Sequence, residues 1–435
     1  MNTITIQEQP SNGTTPHLVA SVNSKLTSAF IICFLSMLFS GITSMLMSVY
    51  LPVVVKDLLQ NVSEEKMNTI SAYINAVFLF GSMFGGFSWG VICDKIGRSR
   101  TVILSTGLYG LFTLLTAFSS SWLLIGIYRF LTGFGVGGIL VTVNILIAEL
   151  WSEKRRAVII GIVSSGMPVG FIAAGAMNNL LPNWHHAFLS GIIPVVVAIA
   201  GVFTLAESES WKTNKETPAT SNPLSNQLFA PAYKSNLLRG SVIFGTMLIG
   251  LWAVFSWAPT WVQSITGNDL KAQDLRGITM MLLALSGLTG SVVSGWIANA
   301  IGLRKTMMLC FAACFIMTVV VFKMNTSVTN LTFVEMGIMG FFFGVSQGAL
   351  SVFIPLLFPT IIRASATGFC FNIGRIFTAT VVFFIGALVS LLGGYGNAIV
   401  TFSFIFIIGF LFTYFSKDDT EAATNRDELL TAFAD

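Results

Sequence analysis

Gly90-Val-Ile-Cys-Asp94-Lys95-Ile-Gly97-Arg98-Ser-Arg100 separates two long apolar runs. Charge alone would make this a solvated loop, but charge does not require Gly90 and Gly97. Glycines at those places permit a tight turn and close approach of neighbouring helices. Asp94 is placed to accept charge-assisted hydrogen bonds from basic residues, or from a helix N-terminus, across the bundle. The stretch, with Lys95, Arg98 and Arg100, reads as a gate. A worn copy, Gly295-Trp-Ile-Ala-Asn299-Ala-Ile-Gly302-Leu-Arg304-Lys305, stands at the matching place in the second half of the chain. There Asn299 replaces the acid and one basic residue is lost. One element at matching positions predicts two structurally related bundles around a central cavity.

Outward from these loops the chain is apolar. Of its 435 residues, 54% are hydrophobic and 10% charged, against roughly 25% charged in soluble domains. Such a surface needs lipid as its solvent. A helix needs about 20 apolar residues to cross the hydrocarbon. The runs that qualify are 27–50, 70–92, 101–119, 122–148, 157–181 and 186–206, then 237–262, 276–300, 306–323, 330–356, 363–392 and 396–416. Gly and Pro inside the fifth and eleventh are tolerable because neighbouring helices satisfy the freed backbone groups. The expected fold is an all-α membrane protein with twelve transmembrane helices in two six-helix, pseudo-symmetric bundles. The bundles span 27–206 and 237–416, a polar linker occupies 207–236, and polar tails occupy 1–26 and 417–435.

Lys and Arg fix the expected orientation. One alternate set of connecting segments carries sixteen of them, and the other carries five: Lys56, Lys66, Lys271, Arg276 and Lys323. Arg129 and Arg375 lie within spans. The richer side faces the cytoplasm, which places both termini and the linker there, in a cell inner or plasma membrane. The first residues show no signal-peptide pattern. All five cysteines fall in apolar runs, so no disulfides are expected. Cys310 and Cys314 share a helix face, but no His or acid accompanies them, and His17, His185 and His186 make no metal-ligand spacing. No nucleotide-binding loop or other cofactor motif is present. Gradients are then the expected energy source, and no enzyme, metal or nucleic-acid role is expected.

The first loop resembles the signature loop of the major facilitator superfamily, G-x3-D-[RK]-x-G-[RK]-x-[RK], at every key position. Further stretches sharpen the resemblance: Tyr128-Arg129-Phe-Leu-Thr-Gly133-Phe-Gly135-Val-Gly137-Gly138, ending Ala148-Glu149-Leu-Trp-Ser-Glu153-Lys-Arg155-Arg156-Ala; Ala206-Glu207-Ser-Glu-Ser-Trp211, similar to the Pro-Glu-Ser-x-Arg-Trp segment of sugar and organic-ion transporters; and Phe358-Pro359-Thr-Ile-Ile-Arg363-Ala-Ser-Ala-Thr-Gly368 with Asn372-Ile-Gly374-Arg375. Over about 27–416 the chain resembles the branch holding aromatic-acid/proton symporters, other metabolite/proton symporters and animal organic-anion transporters. The resemblance implies the major facilitator fold, usually a monomer, working by alternating access. It also implies that Arg375 holds the substrate's negative charge, as its counterpart does in the organic-anion members. Proton symporters of the branch commonly carry span-one acids, often Asp-Gly-Tyr-Asp. Here Ser40-Gly41-Ile42-Thr43-Ser44 stands at about that place. Coupling then falls to Glu335, Glu149 or a protonatable substrate, and uniport or anion exchange stays open.

The residues support an anion site independently. Arg375 lies twelve residues past the cationic end of its run, roughly 18 Å along a helix axis. An arginine near the midplane costs about 2.5 to 3.5 kcal/mol even on a lenient scale, so it must face the protein interior and find a partner. Acids well inside spans are scarce. Glu335 lies near the outer end of the tenth run and Glu149 at the inner end of the fourth. The cavity then has positive character, and the guanidinium fork suits a carboxylate. The other reading is a structural role for Arg375, with Glu335 or backbone carbonyls as partners; Arg129, near the outer end of its run, has the same two readings. In the seventh run Trp252, Phe255 and Trp257 are candidates to stack on a ring, Pro259 is a candidate bend, and Trp261 fits an interfacial belt. Tyr73, Asn75, Asn144, Ser164, Gln347 and Asn372 are further lining candidates, and each could equally join helices. The expected function is proton-coupled import of a small organic anion: a carboxylate metabolite, aromatic acid or sugar acid. The alternative is a facilitator or proton symporter for a neutral sugar. A transporter-like receptor would usually carry a long cytoplasmic extension.

Overall fold

The computed structural model of the protein describes residues 16–59, 62–151, 153–208, 211–212, 229–267, 270–358 and 363–416. The side chains of His17, Glu153, Lys154, Arg156 and Arg363 lie outside the described residues, as do Lys215, Pro359, Lys417 and Arg426, residues 1–15 and 417–435 of the tails, and 213–228 of the linker. Every regular element among the described residues is helical. In chain order the helices are α1 (Pro16–Leu58), α2 (Glu64–Ile96), α3 (Arg98–Thr116), α4 (Trp122–Leu150), α5 (Glu153–Ser164 and Gly166–Leu180) and α6 (Trp184–Phe188, continuing through Leu189–Gly191 to Ile192–Thr204). The second set is α7 (Pro231–Thr266), α8 (Leu270–Ile301), α9 (Leu303–Val319, continuing to Met324), α10 (Asn330–Leu356), α11 (Arg363–Ala387) and α12 (Tyr395–Ser403 and Ile405–Tyr414).

Eleven of these are long and apolar enough to span a bilayer. The remaining one, α3, stands where the third span is expected, but it is 19 residues long and begins with Arg98 and Arg100. Its hydroxyl residues Thr101, Ser105, Thr106 and Thr113 are buried. Such hydroxyls are satisfied inside lipid by helix carbonyls and by neighbouring spans. Thr101 donates to the Gly97 carbonyl at 2.6 Å, while Thr106 and Tyr109 reach Ser36 on α1 at 3.0 and 2.8 Å. Polarity that lowers the hydropathy of α3 therefore fixes it against α1.

Several ends differ from the sequence expectation. α1 continues past residue 50 to Leu58, where Asp57 accepts from Trp184 Nε1 at 3.0 Å. α5 breaks at Ser165, because Pro168 has no N–H for the Ser164 carbonyl and its ring crowds that oxygen. α11 stops at Ala387 rather than 392, and Tyr395 opens α12 behind Gly393 and Gly394. Trp261, expected in an interfacial belt, is 2% exposed and packs edge-on against Phe322 of α9. The five cysteines are buried and free.

The packing repeats between halves. A Cβ on Gly85 of α2 would stand 2.1 Å from the Phe134 carbonyl oxygen of α4. A Cβ on Gly290 of α8 would stand 2.0 Å from the Phe341 oxygen of α10. Gly137 meets the Ser82 oxygen at 2.1 Å, and Gly344 meets the Gly287 oxygen at 1.8 Å. The α2–α4 and α8–α10 crossings are thus the same backbone-to-backbone contact made twice, the arrangement small residues allow in lipid.

Candidate functional site

The loop between α2 and α3 is held from within its own half. Gly97 has φ +109°, a conformation that favours glycine, and a Cβ there would stand 2.2 Å from Glu207 Oε2. The turn presents the first amides of α3 to that carboxylate. The backbone N–H groups of Arg98 and Ser99 donate to Glu207 Oε1 at 2.8 and 3.0 Å. This is an anion on a helix N-terminus, where the orphan donors and the helix dipole both favour it. Arg98 pairs with Glu149 at 3.0 Å and with Asp94, one turn back, at 3.1 Å. Trp211 donates from Nε1 to the Asp94 backbone carbonyl at 2.9 Å. Lys95 and Arg100 are exposed. The Asp94 carboxylate itself is 75% exposed.

The two halves meet along a seam at the other end. Asn178 of α5 and Gln273 of α8 each donate to the other's backbone carbonyl at 2.6 Å. Asn68 of α2 accepts from Tyr395 at 2.7 Å and donates to Ser390 at 3.4 Å. Asn75 donates to the Ser256 carbonyl at 3.5 Å. Phe171 faces Phe255 at 5.6 Å, and Phe78 faces Trp252 at 6.4 Å. A Cβ on Gly175 of α5 would stand 2.7 Å from the Gly277 oxygen of α8. Toward the loops, by contrast, Gly90 and Gly295 have no neighbour within 4 Å of a Cβ position. The close approach expected at Gly90 is not made among the described residues. The described polar contacts between the halves gather at the far end, and the Asp94 carboxylate pairs with Arg98 of its own half.

On α11, facing α2 of the other half, lies Arg375. It is half-buried, and its Nη1 donates to Asn372 Oδ1 at 3.3 Å. Among the described residues that is its hydrogen bond, and no carboxylate pairs with it. The expected structural partner Glu335 accepts instead from Asn325 at 2.7 Å, at the α9–α10 connection. Across the seam, Arg375 Nη1 lies 2.9 Å from where a Cβ of Gly86 on α2 would be. A guanidinium without a carboxylate partner among the described residues thus stands where the two halves meet.

Arg129 is placed differently. It is 2% exposed and donates to the Thr43 and Ser44 carbonyls of α1 at 2.9 and 3.4 Å. Its guanidinium carbon lies 4.0 Å above the Phe78 ring, a cation–π contact. Phe78 stands between it and Trp252. The place of the expected span-one acid is therefore occupied by backbone carbonyls, and Arg129 pins α4 to α1.

The other sequence candidates divide likewise. Trp252 and Phe255 reach the seam, whereas Trp257 is wholly buried in the second half and donates to the Val382 carbonyl at 3.2 Å. It is a packing residue here, not a lining one. Tyr73 is 43% exposed beside Trp122 and Phe383, on the edge of the seam. Asn144 joins α4 to α5 through Ser164 at 3.5 Å. Gln347 has a buried Nε2 without a partner among the described residues. Pro259 lies inside the single helix α7. Two residues escaped sequence reasoning. Glu207 gave a signal, as the acid opening the polar break. Arg276, taken for a loop cation, is 2% exposed in α8 and donates to Gln263 of α7; the six extra residues at the start of α8 carried it inside.

The Major Facilitator Superfamily profile matches residues 30–379. A cis,cis-muconate transport protein of Acinetobacter baylyi is 27% identical over 375 residues, covering 83% of this chain and 87% of that protein. A probable 4-methylmuconolactone transporter of Cupriavidus pinatubonensis is 29% identical over 345 residues, covering 76% and 78%. Among solved structures, the D-xylose-proton symporter superposes with a TM-score of 0.75 at 17% identity, over 90% of this chain and 98% of that one. That likeness shows the shared fold.

Proposed function

The chain belongs to the Major Facilitator Superfamily, and on that premise we propose that it carries a small organic anion through the membrane by alternating access between its halves. The observation that carries the reading is Arg375: a guanidinium without a carboxylate partner, lodged at the seam where an entering substrate would meet both halves. An arginine in such a place is costly unless it has a partner, and its fork matches a carboxylate. The relatives named for cis,cis-muconate and 4-methylmuconolactone transport support a carboxylate as substrate class. Trp252 and Phe255, at the seam, would take the body of the substrate. Arg129 and Trp257 would serve the frame.

On this reading the bundles span 27–206 and 237–416 with 207–236 as the linker, and the protein works as a monomer in a cytoplasmic membrane. The sixteen-to-five division of Lys and Arg supports both termini and the loop end facing the cytoplasm. The described conformation would then be open inward. Import coupled to protons would run through Glu149, whose second oxygen is buried without a partner among the described residues while its first holds Arg98 of the gate. Glu149→Gln should abolish the pH dependence of uptake, and Glu335→Gln should leave it; the opposite result moves coupling to Glu335.

The test is thermal stabilisation of the purified protein by short carboxylates, aromatic acids, sugar acids and neutral sugars, at acidic and neutral pH. A ligand that binds the folded state raises the melting temperature with its affinity. Carboxylates should stabilise the protein, and Arg375→Gln should remove their effect. Stabilisation by neutral sugars in place of carboxylates would make the protein a sugar carrier, and a variant that still responds to carboxylates would make Arg375 structural.

A further inference from the structure

α2 carries three glycines close together, and they do different things. At Gly81 and Gly85 a Cβ would stand 2.0 and 2.1 Å from the carbonyl oxygens of Phe130 and Phe134. Those are backbone atoms of α4, which cannot yield. At Gly86 the atoms within 4 Å are Arg375 Nη1 at 2.9 Å and Asn372 Oδ1 at 3.1 Å. Both are side-chain ends, and both belong to the other half. The packing of its own bundle therefore does not require the missing side chain of Gly86. The guanidinium opposite it does.

We infer that Gly86 is a positioning residue for the anion site: its bare α-carbon lets the Arg375 guanidinium lie against α2, and so sets where the substrate carboxylate is held. The inference rests on the anion reading above. Arg375 reaches from the second half, Asn372 tethers Nη1 from one turn away, and the backbone of α2 forms the stop on the opposite wall. The site thus has one wall from each half. Any motion that parts α2 from α11 removes the stop and frees the guanidinium, which links anion affinity to the state of the seam. A methyl at residue 86 would push Nη1 back without touching a backbone atom. Acids with a substituent beside the carboxylate should suffer most, because the methyl takes space next to the fork.

The test is a double-mutant cycle on the full-length purified protein, with Gly86→Ala, Arg375→Lys and the pair. Dissociation constants are measured for cis,cis-muconate, benzoate and 2-methylbenzoate, alongside melting temperatures. Gly126→Ala is the control, since nothing lies within 4 Å of a Cβ there. Misplacing a binding group by a fraction of an ångström is expected to weaken binding about 5- to 10-fold. Gly86→Ala should do so on the wild-type background at unchanged melting temperature. On the Arg375→Lys background, where no fork reaches α2, it should cost less than about twofold, because residues acting through one another are non-additive. Equal losses on both backgrounds would overturn the inference. So would unchanged affinity, or a fall in melting temperature as large as that of Gly85→Ala. Should Arg375→Lys alone bind every probe as wild type does, or wild type bind none, the anion reading itself fails.

Discussion

Arg129 and Arg375 lie deep inside spans, one in each half, and neither has a carboxylate partner among the described residues. Arg129 in α4 is closed in by two carbonyls of α1 and the Phe78 ring. Arg375 in α11 has one asparagine and lies against Gly86 of the other half. The same side chain is enclosed by its own half at one site and, on the proposed reading, is a receptor at the other. The loops differ in the same sense. In the first half Gly97 turns the chain so that Glu207 caps α3 and Glu149 holds Arg98. In the second, Gly302 has φ +88°, and Arg304 donates to the Thr413 and Tyr414 carbonyls of α12, while Asp418 and Asp419, which follow α12, lie outside the described residues. What the halves share is the packing at the helix crossings. What they have exchanged is charge, which packing does not need.

This contrast can be broken in order of size. Arg129→Gln should destabilise the protein by about 3 kcal/mol, since it strips donors from two buried carbonyls and leaves a void. Chemical or thermal denaturation would show it, and a stable variant would mean Arg129 is not a rivet. Glu207→Gln should cost about 2 kcal/mol, the range for hydrogen bonds to a charged group. Arg304→Gln, at a partly exposed site where the guanidinium donates to neutral carbonyls, should cost less than half of that. Equal losses would erase the distinction between the loops. Arg375→Gln should change stability by under about 1 kcal/mol, yet weaken carboxylate binding roughly 10- to 100-fold, as loss of a charge-assisted pair predicts. Comparable damage to stability from Arg129→Gln and Arg375→Gln would make both structural. Asp94→Asn should alter the stability of this conformation by at most about 0.5 kcal/mol, because an exposed pair one turn apart contributes little. Transport should nonetheless slow if the opposite conformation needs that carboxylate, and an unchanged rate would remove Asp94 from the gate.

Much of the candidate site could be read from residue types, and the failures are instructive. Arg375 with Asn372 was legible because a cation at mid-span demands an explanation. The Gly90–Arg100 loop was legible because its glycines exceed what a charged loop needs. Trp257 and Trp252 are five residues apart on one helix, and composition treats them alike; only the neighbours of α7 send one into the second half and the other to the seam. Tyr73 is ambiguous for the same reason. Gly86 sits in a run of glycines that all suggest close packing, and nothing in the run marks the one that faces an arginine from the other half.

The amino-acid sequence by itself determined that the chain is helical, that it lives in lipid, and that it is built twice over. Those properties follow from local chemistry: the length of apolar runs, the cost of unsatisfied backbone in hydrocarbon, and the placement of Lys and Arg. It also placed two cations where a membrane protein tolerates few. The tertiary structure alone decided which of them is enclosed by carbonyls of its own half, where the halves touch, and which glycine faces Arg375. Each of those is a contact between residues far apart in the chain, and in lipid every span is apolar on nearly all sides. Hydrophobic patterning then says little about which face meets which neighbour. Packing of small residues and the search of buried polar groups for partners settle it, and both exist only once the helices are assembled.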